Sequence, residues 1–144
     1  MTLQIEFTVP GDPKGKGRPR FSRVGKFTKT YTDAKTRMYE EKIASAARLA
    51  MFPHEPLEGP LAIYMEINVP IPASYSKKRK EACLLGIEMP CKKPDIDNCA
   101  KGVLDAMNGI IYKDDVQVIR LSLQKHYSTE PGVYIMVREY FPLV

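Results

Sequence analysis

Residues Leu3 to Val9 alternate: Leu3, Ile5, Phe7 and Val9 are apolar, and Gln4, Glu6 and Thr8 are polar. A period of two predicts a half-buried strand, and Pro10-Gly11 stops it. The stretch GDPKGKGRPRFSRVGKFTKTYT that follows has no core period and reads as a basic loop. Thr32 or Asp33 is placed to cap a helix reaching about Met51, with Met38, Ile43, Ala46, Ala47 and Ala50 as its apolar stripe. Phe52-Pro53 ends it. LAIYMEINV, Leu61 to Val69, predicts a second strand. Ser76 caps a short basic helix, KKRKEACLL, which Gly86 terminates. A third helix spans about Asp97 to Asn108 and stops at Gly109. Val116–Tyr127 and Val133–Tyr140 predict two closing strands, with Gly132 suggesting a hairpin between them. Strands and helices are mixed in order, so the fold class is α/β or α+β, a mixed β-sheet with flanking helices.

Length and composition narrow this further. The chain has 144 residues, which fits a single domain over residues 1–144 and can bury a core without staples. No apolar run approaches a membrane span, and the N-terminus shows no signal-peptide pattern. Cys83, Cys91 and Cys99 are odd in number and form no CxxC pair, and only His54 and His126 accompany them. A disulfide scaffold and a zinc site are disfavoured, and a reduced, cytoplasmic chain is expected. Lys and Arg number 22 against 17 Asp and Glu, a net charge of +5. That sum suggests an anionic partner without naming one.

The charge is unevenly placed. Lys14, Lys16, Arg18, Arg20 and Arg23 crowd the loop after the first strand, and Lys77, Lys78, Arg79 and Lys80 open the short helix. Such runs can contact nucleic-acid phosphates, and Phe21, Phe27 and Tyr31 among them could stack on unpaired bases. The plain alternatives are a solvated helix face for the KKRK run and core packing for the aromatics.

The acids gather instead in KKPDIDNCAKGVLDAMNGIIYKDDVQV, Lys92 to Val118. At about 100° per residue, Ile96, Cys99, Ala100, Val103, Leu104 and Met107 share one arc of a helix. Asp97, Lys101 and Asp105 fall on the opposite side, and Asp95 immediately precedes. After the Asn108-Gly109 turn the chain can return and bring Asp114 or Asp115 towards Asp95 and Asp97. Carboxylates so gathered repel one another, and a hard divalent cation relieves the conflict. Such an ion can activate water for phosphodiester hydrolysis, and a lysine one turn from a ligand can stabilise the charge that develops. Taken singly, each residue has a plainer reading. Asp95 could be only an N-cap, Asp97-Lys101 and Lys101-Asp105 only solvated i,i+4 pairs, and Asp114-Asp115 only a turn. DIDN does not continue as a calcium loop, because Ala100 and Ala106 stand where Gly and Glu belong. GDPKGKGR is not a phosphate-binding P-loop, because no GK[ST] follows.

The same segment resembles the signature of the RusA-like Holliday junction resolvases, endodeoxyribonucleases of bacteria and their phages. That signature is a basic-Pro-Asp-x-Asp-Asn start, a lysine four residues after the second aspartate, an aspartate four further on, and a closing Asp-Asp-x-Gln-Val. All of it is present. The resemblance implies a homodimer of small mixed α/β subunits that binds four-way DNA junctions and cuts two opposing strands symmetrically with Mg²⁺ or Mn²⁺. Carried over by position, Asp95, Asp97 and Asp115 would bind metal, and with Lys101 they would be the catalytic set. Asp105 and Asp114 match motif aspartates whose parts are less defined. Two rivals stay open: a DNA-binding module whose acids are structural, and a metal nuclease acting on flaps or forks.

Overall fold

The structure, a computed structural model, describes residues 3–16, 20–24, 27–31 and 34–140, with the two short segments described by their backbone. In chain order the elements are β1 (Gln4–Pro10), β2 (Arg20–Val24), β3 (Phe27–Tyr31), α1 (Ala34–Met51), β4 (Leu61–Pro70), α2 (Lys77–Leu84), α3 (Ile96–Met107), a 3₁₀ turn (Asp115–Gln117), β5 (Val118–Ser128) and β6 (Gly132–Glu139). Four strands form one mixed sheet in the order β1-β6-β4-β5, and β2 and β3 form a separate antiparallel ribbon. No helix among the described residues is long and apolar enough to cross a membrane.

The core is laid down in cross-strand rows. Ile5, Val137 and Ile63 stand side by side, as do Phe7, Ile135 and Met65, and then Val9, Val133 and Ile67. α1 and α3 pack on one another, α1 also on β1 and α3 on β4 and β5. Ile43, Ala47 and Met51 of α1 and Cys99, Val103 and Met107 of α3 join the same core. Each fully buried Ile or Leu contributes roughly 1.5–3 kcal/mol. Met38 does not share this burial and is 73% exposed. It lies five residues before Ile43, which turns it about 140° away from the buried stripe. The Thr32 and Asp33 cap positions lie outside the described residues.

Two further expectations are corrected. The basic stretch is not all loop, because β2 and β3 pair within it, Arg20 opposite Tyr31 and Val24 opposite Phe27. An antiparallel ladder is built of backbone hydrogen bonds, which any residue types can supply, so no apolar period need announce it. The two closing strands, in turn, do not form a hairpin. β5 pairs in parallel with β4, and β6 lies between β4 and β1. β4 is buried at six of its ten positions and takes the central place with neighbours on both sides. β5, exposed at Ile119, Arg120, Leu121 and Ser122, is an edge strand, as is β1. Residues 129–131 therefore cross the end of β4. Gly132 serves close approach rather than a hairpin turn: a Cβ there would lie 2.8 Å from the Val9 carbonyl oxygen on β1.

Candidate active site

α3 carries the acidic motif, and its start is set by Asp95. That residue is at the N-cap in extended conformation, and its carbonyl accepts from the Cys99 amide at 3.0 Å. Its carboxylate makes no capping hydrogen bond. The segment before it is held from the sheet. Lys125 stands beside Ile67 in the β4-β5 register, and its Nζ donates to the carbonyls of Lys92 at 2.9 Å and Pro94 at 3.0 Å. An open groove of about 700 Å³ lies here, lined by Lys14, Gly15, Lys93, Pro94, Asp95 and Asn98.

Along the helix the expected arcs hold. Cys99, Ala100, Val103 and Met107 are buried, whereas Asp97 and Lys101 are exposed. Asp97 Oδ1 accepts from the Asn98 amide at 2.9 Å. Lys101 makes no ion pair with Asp97 and sits 3.6 Å from Asp105 Oδ2. The same Asp105 oxygen is 3.2 Å from Lys16 Nζ, which also pairs with Glu40 on α1. Burial draws the Lys16 ammonium pKa down, but the Glu40 and Asp105 carboxylates outweigh it and the net shift is upward.

The return segment is fixed by four anchors. Gly109 reverses the chain at φ +77°, a region that favours glycine. The buried Tyr112 donates its hydroxyl to the Leu104 carbonyl at 2.7 Å. Asn108 Oδ1 accepts from the Asp115 amide at 3.0 Å. Gln117, a motif residue to which the spacing assigned no part, makes four bonds. Its Oε1 accepts from the Lys113 and Asp114 amides, and its Nε2 donates to the Leu57 and Gly59 carbonyls, each at 3.0 or 3.1 Å. Asp114 has a local structural use, capping the 3₁₀ turn by accepting from the Val116 amide at 3.2 Å.

The electrostatics divide the acids into two sets. Burial, opposed by Lys125 and reinforced by Asp95 and Asp97, pushes the Cys99 thiol up to about 11. Desolvation and the neighbouring Asp114 and Asp105 push the Asp115 carboxyl up, against a smaller pull from Lys101. The buried Tyr112 phenol is raised by burial and then by Asp115, Asp105 and Asp114. Asp97 and Asp105 are two turns apart, about 12 Å along the helix axis. Lys101 lies midway. Among the described residues, no three His, Cys, Asp or Glu side chains stand together as a ready ion cage. The donor chemistry nevertheless suits a hard cation: carboxylate oxygens throughout, and in Asp115 a charge that its neighbours disfavour. Mg²⁺ commonly takes one or two protein carboxylates and completes its shell with water and phosphate oxygens.

The basic residues divide as well. Lys14 and Lys93 flank the groove, and Lys93 was not singled out by charge clustering. Lys77 and Lys78 are exposed on α2, and Lys80 is half-buried. Arg79 Nε is 2.8 Å from Glu88, and its guanidinium lies 3.5 Å over the Tyr75 ring. Arg20 and Arg23 are on β2, described by backbone alone, and Arg18 lies outside the described residues.

The family profile described as "Endodeoxyribonuclease RusA" matches residues 10–138. The chain belongs to the RusA endodeoxyribonuclease family. The RusA match covers the acidic helix, the returning turn, β4, β5 and β6 up to Arg138, and takes in only Pro10 of β1. A Bacillus subtilis (strain 168) protein named "Uncharacterized protein YqaN" is 43% identical over 138 residues, covering 94% of this chain and 96% of that protein. Its name assigns no activity. RusA membership places the chain among endodeoxyribonucleases of Holliday junctions, and no more specific statement comes from the relative.

Proposed function

We propose that this RusA-family chain is a Mg²⁺- or Mn²⁺-dependent endonuclease that resolves four-way DNA junctions by paired, symmetric cuts as a homodimer. The observation that carries the reading is the groove that Asp95 lines. Lys14 and Lys93 flank it, and α3 follows with Asp97 and Lys101 exposed on its outer face. A groove lined by lysines and by the Asp95 carboxylate, which makes no capping hydrogen bond, suits a phosphodiester approaching a metal site.

In this reading Asp95 and Asp97 at the start of α3 and Asp115 on the returning turn, which do not stand together as a ready cage, would hold the cation, which when bound would polarise the phosphodiester and lower the pKa of an attacking water. Lys101 would supply positive charge where the phosphodiester oxygens develop negative charge. Lys14 and Lys93 orient the strand by its phosphates, and Lys77 and Lys78 extend the basic surface. Asp114 shapes the turn that presents Asp115. A homodimer supplies the two active sites that two cuts need, and the β5 edge, with Ile119 and Leu121 exposed, offers a surface for self-association.

The decisive experiment is a panel of synthetic four-way junctions, flaps, forks and duplexes, cut with Mg²⁺, with Mn²⁺ and with EDTA. Paired cuts confined to junctions and abolished by EDTA support the reading. Preferred cutting of flaps or forks replaces it with a different nuclease, and junction binding without cutting in any metal replaces it with a binding module. Asp97→Asn should bind junctions like wild type and cut none; near wild-type cutting by that variant at saturating Mg²⁺ overturns the site assignment.

A further inference from the structure

Lys16 lies in the basic stretch that charge clustering assigns to DNA, yet its contacts are inside the protein. Its ammonium pairs with Glu40 of α1 and, at 3.2 Å, with Asp105 of α3. Its amide donates to the Asn98 carbonyl at 3.1 Å. Its backbone passes over Gly102, and the preceding Gly15 fits against Asn98 because it has no Cβ; one there would fall 2.7 Å from Asn98 Nδ2. The Lys16 side chain is only 22% exposed.

The position of these contacts in the chain matters. Lys16 is the last described residue before the β2–β3 ribbon, and Glu40 lies less than two turns into the helix that follows it. Their ion pair therefore closes the root of the ribbon excursion. Asp105 then ties that closed root to the acidic helix. Asp105 Oδ2 is also the oxygen that Lys101 approaches at 3.6 Å, farther than Lys16. Two ammonium groups share one carboxylate oxygen, and the one without a catalytic part sits closer.

We infer that Lys16 is a positioning residue, not a phosphate contact. With Glu40 and Asp105 it clasps the root of the β2–β3 ribbon to α3 and occupies Asp105, so that Lys101 stays available to the DNA. The inference rests on the nuclease reading for its effect on cutting, but not for the clasp itself. Without the Lys16 charge, Asp105 has Lys101 as its nearest cation and draws that ammonium along the helix, away from the groove. The chain leading into the ribbon also loses its tie to both helices. A shift of this kind slows the bound complex without removing a phosphate contact.

The test compares wild type with Lys16→Met, Lys16→Arg and Glu40→Gln. Binding to a synthetic four-way junction is titrated with KCl in the absence of divalent metal. Single-turnover cutting is measured at saturating protein with Mg²⁺, and hydrogen exchange reports protection of the residue-16 amide. Lys16→Met should keep the wild-type slope of log K against log salt, cut about tenfold more slowly and lose protection. Lys16→Arg should recover most of the rate. Glu40→Gln, which leaves the Lys16 charge intact, should also lose protection and slow cutting, and it serves if Lys16→Met fails to fold. A slope reduced by about 0.9, the loss of one phosphate contact, with an unchanged single-turnover rate would overturn the inference. Wild-type protection in both Lys16→Met and Glu40→Gln would also overturn it. If wild type cuts no substrate, the nuclease reading fails, and the salt slope and amide protection still decide the clasp.

Discussion

The Lys125 ammonium donates to the Pro94 carbonyl at 3.0 Å, one residue before Asp95. An inward-facing charge on an edge strand thereby fixes the backbone that presents a candidate metal ligand. Its second bond, to Lys92, doubles the hold. Lys125→Met keeps the stem and removes both bonds. The expected result is a loss of about 1 kcal/mol of stability and a marked drop in junction cutting. Urea denaturation and single-turnover cutting measure the two. Full activity with the stability loss would show that Asp95 needs no such support.

The acidic helix was legible because two signals coincided in Lys92–Val118: a 3.6-residue apolar arc and charges at i, i+4 and i+8. Cys99, Val103 and Met107 are buried, and Asp97 and Lys101 are exposed, as that arc requires. The Ser76 cap was legible for a similar local reason, since its hydroxyl accepts from the Arg79 amide. Strand pairing was not. Alternation in β5 and β6 says that each is a strand but not that β4 lies between β5 and β6. The parts of Lys16, Lys125 and Gln117 were hidden for a related reason. Each acts through partners 24 to 89, 31 to 33, or 58 to 60 residues away, in addition to any local bonds. Lys16 shows the risk in counting basic residues as DNA contacts, because an ion pair and a phosphate contact look alike in a sequence.

Asp115 gives a pH-dependent expectation. Burial, Asp114 and Asp105 raise its carboxyl pKa in the folded state above the ordinary value. A raised folded pKa means that folding favours the protonated form. The associated stability is present below the unfolded pKa and is lost as pH rises through the folded one. At pH 7 the ionised Asp115 therefore weakens the fold. Asp115→Asn should melt higher than wild type at pH 7, and the gap should close as pH falls through the carboxylate range. The same variant should lose cutting. Calorimetry at pH 7 and pH 4 reads the sign, and a variant that melts below wild type at pH 7 contradicts the repulsion.

Tyr112 joins the returning turn to α3 through its hydroxyl and the Leu104 carbonyl. Tyr112→Phe leaves the ring packed but deprives that carbonyl of its donor. The expected cost is about 1–2 kcal/mol, seen as a lower urea midpoint with an unchanged slope. Cutting should fall as well, because the same turn carries Asp114 and Asp115, while the salt dependence of junction binding should not change. An unchanged midpoint would mean that Gly109, Asn108 and Gln117 suffice to hold the turn.

The basic surface offers a comparison between charges that face solvent and charges already paired. Lys14 and Lys93 flank the groove, whereas Arg79 is bound to Glu88 and stacked on Tyr75. Each phosphate contact to duplex DNA contributes about 0.9 to the slope of log K against log salt. Removing Lys14 and Lys93 together should therefore flatten the slope by about 1.8, or by less where an arm of the junction is unpaired. Arg79→Ala should leave it unchanged, because a guanidinium held by a carboxylate displaces few counterions from the DNA. Arg79 should instead matter to stability, since its loss frees Glu88 and uncovers the Tyr75 ring. Fluorescence anisotropy of a labelled junction across a KCl series measures all three proteins. A flattened slope for Arg79→Ala, with none for the lysine pair, would move the DNA path from the groove to α2.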